Sequence, residues 1–70
     1  MKQHEVSRNF YMLFRKANKL PVVHHTRISK EICVCHVKGT DFEIEIYNAT
    51  NAWEAKLECL QKYTINTLIA

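Results

Sequence analysis

The predicted fold of this 70-residue chain is built around residues 28–53, ISKEICVCHVKGTDFEIEIYNATNAW. Two short segments, 31–37 and 42–47, carry the strand-like residues and flank the tetrapeptide KGTD. In the second segment, apolar residues alternate with polar ones from Phe42 onward, so the apolar side chains share one side of a strand. Gly39 is the only glycine, and it lies where a hairpin turn needs a residue that tolerates positive φ. We therefore predict an antiparallel hairpin with one buried and one solvated face.

Further elements are predicted on both sides of this hairpin. Residues 4–19 repeat apolar side chains at spacings of three and four, which predicts an amphipathic helix whose apolar stripe consists of Val6, Phe10, Leu13, Phe14, Ala17 and Leu20. Residues 20–28 predict a first strand, and Pro21 near its start suits an edge position. Asn51 and Glu54 have the spacing of a capping box, which predicts the start of a second helix. Residues 64–70 are compatible with a continued helix or with an extended arm, because β-branched residues weaken helix propensity there.

The element order predicts an α+β fold of the form α-β-β-β-α. Three strands in a meander would form an antiparallel sheet, with both helices packed on one face. The 70 residues are expected to form a single domain, with a core at about 4–63 and a tail at 64–70.

Composition limits the class of protein. Hydrophobic residues make up 47% of the chain, which is typical of a globular domain. No run of about 18 apolar residues is present, so we expect no membrane span. The start of the chain lacks the apolar core of a signal peptide, and three cysteines are an odd number for a disulfide framework. We therefore expect an intracellular protein, cytoplasmic or nuclear, with free thiols.

Histidines and cysteines cluster within 13 positions, at His24, His25, Cys33, Cys35 and His36. On a strand Cys33 and Cys35 share one face and His36 lies on the other, which is poor geometry for a tetrahedral zinc site. We expect the two cysteines to pack as small hydrophobic residues, with no metal and no cofactor. The sequence also lacks a reactive cysteine paired with a histidine base, a carboxylate pair and a phosphate-binding glycine loop. We therefore predict no enzymatic activity.

Charge is distributed unevenly along the chain. Residues 1–38 contain eight Lys and Arg against two Glu, whereas residues 39–70 contain two Lys against five acidic residues. A basic half can contact phosphates or an acidic protein surface, although such counts also fit an ordinary solvated helix face.

The predicted order and two short segments resemble the double-stranded RNA-binding domain family. Residues 20–23, LPVV, resemble the family's junction between the first helix and the first strand. Residues 54–56, EAK, fall where the family has the end of its Lys-Lys-x-Ala-Lys motif. The resemblance covers about residues 4–63 and implies contact with two successive minor grooves and with the phosphates between them.

The departures from the family pattern imply weakened RNA binding. Ala52 and Trp53 replace the family's paired lysines, so Lys56 alone remains for the phosphates. The loop between the first two strands offers only Ser29 and Lys30, with Arg27 beside it. Each lost phosphate contact lowers affinity and its dependence on salt. The first helix would retain Arg8, Arg15 and Lys16 as possible contacts.

Degenerate members of the family serve as protein-binding or dimerising modules, and the resemblance therefore implies such a role in an RNA-processing or RNA-silencing assembly. A partner protein or a second copy would pair with an exposed third strand and the C-terminal tail. Apolar and aromatic anchors are expected at Tyr47, Trp53, Ile65, Leu68 and Ile69. Burial in the core is an alternative interpretation for Trp53 and for the three aliphatic residues.

Two other functions are compatible with the sequence. One is direct binding of double-stranded RNA, for which the candidate contacts are Arg8, Arg15, Lys16, Arg27, Lys30 and Lys56. The other is a small stand-alone inhibitor, such as a phage or mobile-element protein that blocks a host enzyme. A short chain that begins with methionine fits this last function.

Overall fold

A computed structural model describes residues 2–69. Helix α1 spans Gln3–Ala17, strands β1, β2 and β3 span Val23–Arg27, Ile32–Val37 and Glu43–Tyr47, and helix α2 spans Ala52–Ile69. The predicted α+β class and the order α-β-β-β-α are therefore confirmed.

The three strands form one antiparallel sheet in the order β1-β2-β3. Cys35 at the middle of β2 lies opposite His25 of β1 and Ile44 of β3. Gly39 adopts a φ of +80° in the β2–β3 turn, where the Thr40 N–H donates to the Val37 carbonyl over 3.1 Å. The glycine thus occupies the left-handed conformation that the sequence predicted for this turn.

One face of the sheet is buried beneath the helices. Alternation along β2 buries Cys33, Cys35 and Val37 and leaves the intervening side chains on the outer face. Helix α2 contacts all three strands and buries Ala55, Cys59 and Leu60 in the same core, which also includes Val23 and Ile46. Helix α1 packs on α2 and its Tyr11 hydroxyl reaches Val23 at the start of β1, so both helices lie on the same side of the sheet, as predicted.

The buried side of α1 differs from the predicted stripe. Ser7 and Tyr11 are its buried residues, whereas Phe10 and Leu13 are 57% and 66% exposed. Small Ser7 accepts a hydrogen bond of 3.4 Å from the Asn51 side chain, at the start of α2. The Tyr11 hydroxyl is satisfied by the backbone of β1, so its ring can be buried without an unpaired polar group. Hydrophobic spacing therefore did not identify the buried side of α1, because it does not reveal polar side chains that find partners.

Helix α2 begins at the predicted cap and continues through C-terminal residues whose helix propensity is low. The Glu54 N–H donates to the Asn51 side-chain oxygen over 3.0 Å, and the Glu54 carboxylate accepts from the Thr50 N–H over 3.0 Å. The returning hydrogen bond thus reaches one residue before the cap. The tail is helical through Ile69, so the extended arm is ruled out there, and Ala70 lies outside the described residues.

The two helices run side by side in the same direction. Ser7 lies beside Asn51, the Tyr11 ring lies 5.6 Å from the Trp53 ring, and Ala17 at the end of α1 shares a groove with Gln61. The last two turns of α2 therefore extend beyond the end of α1.

Candidate functional site

The last two turns of α2 carry uncovered apolar residues. Ile65, Leu68 and Ile69 are 58%, 79% and 78% exposed, because α1 ends opposite Gln61 and provides no cover beyond it. A shallow cavity of about 300 Å³ separates these turns from the start of β3. We call it the β3–α2 surface, and its lining residues are Phe42, Ile44, Lys62, Ile65, Asn66 and Ile69.

The β3 strand forms one edge of the sheet. An edge strand presents backbone N–H and carbonyl groups to which another strand can pair. Phe42 is anchored at this edge, because its ring meets the Tyr63 ring edge-on with centroids 5.4 Å apart. An apolar cavity and an available strand edge thus lie next to each other.

The five predicted interface residues do not form one patch. Ile65 and Ile69 line the β3–α2 surface, and Leu68 lies on the same two helical turns. Tyr47 is exposed on the outer face of the sheet, where its hydroxyl donates to the Glu45 carboxylate over 2.7 Å and the pKa of Tyr47 is raised. Trp53 is half-buried between the helices.

Trp53 has its ring beside Tyr11 and beneath a cation. The Lys56 ammonium lies 4.5 Å from the centre of the Trp53 ring and 5.8 Å from that of Tyr11. These distances fit cation–π attraction. The contacts assign Trp53 to the junction of α1 and α2 and support its interpretation as a packing residue.

Half of the six predicted RNA-contacting residues have structural contacts. Arg27 donates to the Ser29 and Lys30 carbonyls, over 3.2 and 2.8 Å, and so braces the β1–β2 turn. Arg15 is half-buried and its guanidinium lies 3.5 Å from the Leu20 carbonyl. Lys56 lies over the two aromatic rings described above. The three others are exposed, on α1 and in the β1–β2 turn: Arg8, Lys16 and Lys30.

The three cysteines lie in the core; His25 lies opposite Cys35 on the neighbouring strand, whereas His24 and His36 are on the outer face of the sheet. Cys33, Cys35 and Cys59 are buried free thiols, and a hydrogen bond with Cys59 together with burial raises the pKa of Cys35. His36 is on the opposite face, with its Nε2 2.8 Å from the Thr40 carbonyl oxygen. Within residues 2–69, no group of three or more histidine, cysteine, aspartate or glutamate side chains is arranged to hold a metal ion.

A second apolar depression, on the outer side of the helix pair, was not predicted from the sequence. This α1–α2 groove has a volume of about 440 Å³ and is lined by Phe10, Leu13, Phe14, Ala17, Asn18, Leu57 and Gln61. The 4-3-4 spacing of Val6, Phe10, Leu13 and Ala17 was a usable signal, because it describes a narrow seam suited to another helix.

Neither helix in the described part of the chain is sufficiently long and apolar to cross a bilayer. Comparison of the sequence and structure with protein-family models, with curated proteins and with solved structures finds no match.

Proposed function

We propose that this chain is a protein–protein interaction module, similar to a double-stranded RNA-binding domain with weakened RNA binding, in an RNA-processing or RNA-silencing assembly. The observation that carries the proposal is the β3–α2 surface. There, exposed aliphatic residues at the end of α2 lie beside an edge strand.

The surface supplies two kinds of attraction for a partner protein. An extended partner segment can add to β3 through backbone hydrogen bonds, and its apolar side chains can enter the cavity beneath Ile65 and Ile69. Glu43 and Glu45 on the outer face of β3 discourage indiscriminate edge pairing and favour a partner strand with basic residues opposite them.

Weakened RNA binding is supported by the contacts of the cations. Arg27 is held by the turn that it braces, and Lys56 is held over aromatic rings. Moving either to a phosphate would sacrifice these contacts. The β1–β2 connection consists of residues 28–31, which is too short to project far into a minor groove.

Photo-crosslinking in the source cells tests the protein-binding function. A photoreactive amino acid at Asn66, on the β3–α2 surface, is expected to give discrete protein adducts that survive ribonuclease treatment. Ile65→Lys and Ile69→Lys should abolish these adducts, while Leu13→Lys, on the other helix, should preserve them. Adducts that disappear with ribonuclease, or persist in both variants of α2, would contradict the proposal.

Titration with an RNA duplex of about 16 base pairs tests the second function, direct RNA binding. The exposed cations Arg8, Lys16 and Lys30 support this function. We expect affinity weaker than about micromolar at physiological salt, close to that of non-specific binding. Tighter binding that falls steeply with added salt, and that is lost on Arg8→Gln and Lys16→Gln, would make RNA the primary ligand.

A further inference from the structure

The α1–α2 groove has the shape of one half of a helix-packing interface. Phe10 and Leu13 form a ridge on α1, and Leu57 and Gln61 form the opposite wall on α2. Ridge and groove lie side by side on one face, and helices pack by inserting such ridges into the grooves of a neighbour. The face can therefore receive a copy of itself, because each copy supplies both a ridge and a groove.

The charges beside the groove have opposite signs on its two sides. Lys16 is exposed on α1, three residues after Leu13 and therefore adjacent to it on the helix surface. Glu54 and Glu58 lie on α2, three residues before Leu57 and Gln61 respectively. Glu54 also accepts the Thr50 N–H, and Glu58 forms an exposed ion pair of 3.7 Å with Lys62. The α1 side of the face is therefore basic, through Lys16, and the α2 side is weakly acidic, because Lys62 offsets part of the charge of the two glutamates.

We propose that a second copy of this chain docks on the α1–α2 groove and forms a two-fold symmetric dimer. The Phe10 and Leu13 ridge of each copy packs against the Leu57 and Gln61 wall of the other, so that α1 of each copy faces α2 of its partner. A two-fold contact repeats every pairing twice, so the basic side of one copy meets the acidic side of the other in both halves. This surface is separate from the β3–α2 surface, and the inference does not depend on the proposed function.

The charge pattern favours this arrangement over direct pairing of α1 with α1. Helix α1 contains Arg8, Arg15 and Lys16 against a single acidic residue, Glu5, so two copies of α1 in direct contact would repel each other. Crossing α1 over α2 removes that repulsion and places Lys16 near the glutamates. This charge pattern favours a second copy as the occupant of the groove.

Analytical ultracentrifugation tests the dimer on the purified chain from about 10 µM to 1 mM, where weak interfaces are populated. The unaltered protein should show a monomer–dimer equilibrium. Leu13→Lys should weaken dimerisation by about tenfold or more, because it places a charge in the apolar centre of the contact. Ile69→Lys, on the β3–α2 surface, is the matched control and should leave the equilibrium unchanged.

Exchange of charges between the two sides distinguishes this interface from non-specific association. Lys16→Glu should weaken the dimer because it sets acid against Glu54 and Glu58 of the other copy, and Glu58→Lys alone should weaken it as well. The double variant should regain most of the lost affinity. Circular dichroism and thermal unfolding of each variant verify that the monomer remains folded.

Three results would overturn the inference. The first is a monomer throughout the concentration range. The second is a dimer that is insensitive to Leu13→Lys but lost on Ile69→Lys, which would move self-association to the β3–α2 surface. The third is a double charge variant no better than the two single variants, which would exclude α1 facing α2 of the partner.

Discussion

The phenolic oxygen of Tyr11 lies 3.0 Å from the backbone nitrogen of Val23 and accepts its hydrogen bond. Both residues are almost completely buried, so this contact joins α1 to the start of β1 inside the core. It satisfies a backbone donor that would otherwise have no access to water. The position of α1 on the domain is thus set partly by one side-chain hydroxyl.

Tyr11→Phe is expected to lower the free energy of unfolding by about 1–3 kcal/mol, because it leaves the Val23 N–H buried and unsatisfied. Chemical denaturation followed by Trp53 fluorescence measures the change. Tyr63→Phe is the control, since the Tyr63 ring packs on Phe42 at the other end of the core. Equal stability of the Tyr11 variant and the unaltered protein would show that the hydroxyl is unimportant.

The N-terminal cap of α2 makes a second prediction. Asn51→Ala should lower the free energy of unfolding by about 1 kcal/mol, because the Glu54 N–H loses its acceptor. Asn9→Ala, at an exposed position within α1, should have no destabilising effect, since alanine has the higher helix propensity. Thermal unfolding of the two variants provides the comparison, and an equal change in both would contradict the role of the cap.

Two leucines of α2, one buried and one exposed, test where the hydrophobic core ends. Leu60 is 0% exposed and Leu68 is 79% exposed. Leu60→Ala should therefore lower the free energy of unfolding by about 2–5 kcal/mol. Leu68→Ala should change it by no more than about 0.5 kcal/mol. A large loss at Leu68 in urea denaturation would mean that the end of α2 belongs to the core rather than to an interaction surface.

His25 predicts a pH dependence of stability. Partial burial, with Lys56 and Arg27 nearby, lowers the pKa of His25 below its ordinary 6.5. The unfolded chain therefore binds the His25 proton more tightly than the folded chain. The free energy of unfolding should therefore decrease as the pH falls from about 6.5 to the folded pKa of His25. Outside this range, titration of His25 causes no further change in stability.

NMR titration of the imidazole resonances measures this effect. The pKa of His25 should lie below 6.5 and should rise in Lys56→Met, which removes one positive charge and keeps the packing volume. Lys62→Met is the control and should leave the pKa of His25 unchanged. A pKa at or above 6.5 in the unaltered protein would contradict the assigned burial and charge effects.

The three cysteines predict slow thiol chemistry. Cys33, Cys35 and Cys59 are buried, so a thiol reagent should modify them only when the domain opens. Modification should accelerate at the denaturant concentrations that unfold the chain, and Gln61→Cys should add a thiol that reacts at once. Rapid modification of any native cysteine in the folded protein would show that the core beneath α2 is accessible.

Local sequence signals predicted the elements of this fold well. Alternation in β3, the positive φ of Gly39 and the Asn51 cap all operate within a few residues, so their chemistry is visible in the sequence. The length of α2 was not predictable from the same signals. β-branched residues near its end weaken helix propensity, but helices that continue a well-packed segment tolerate them.

The exposure of surface residues could not be derived from local signals, because it depends on distant neighbours. Trp53 was a candidate interface residue, but α1 lies beside it and Lys56 covers its ring. Phe10 and Leu13 belong to the apolar stripe of α1, yet α1 buries Ser7 and Tyr11 instead. The side of α1 that is buried depends on hydrogen bonds with Asn51 and Val23, which lie on other elements.

Hydrophobic periodicity, turn chemistry and capping were therefore enough to define two helices, three strands and the buried face of the sheet, since each acts over a few residues of chain. Which side of α1 is buried, and how far α2 extends past it, depended on contacts between residues separated by 12 to 44 positions. Such contacts form only when the elements pack. The two apolar surfaces on which the proposals rest are consequences of that packing.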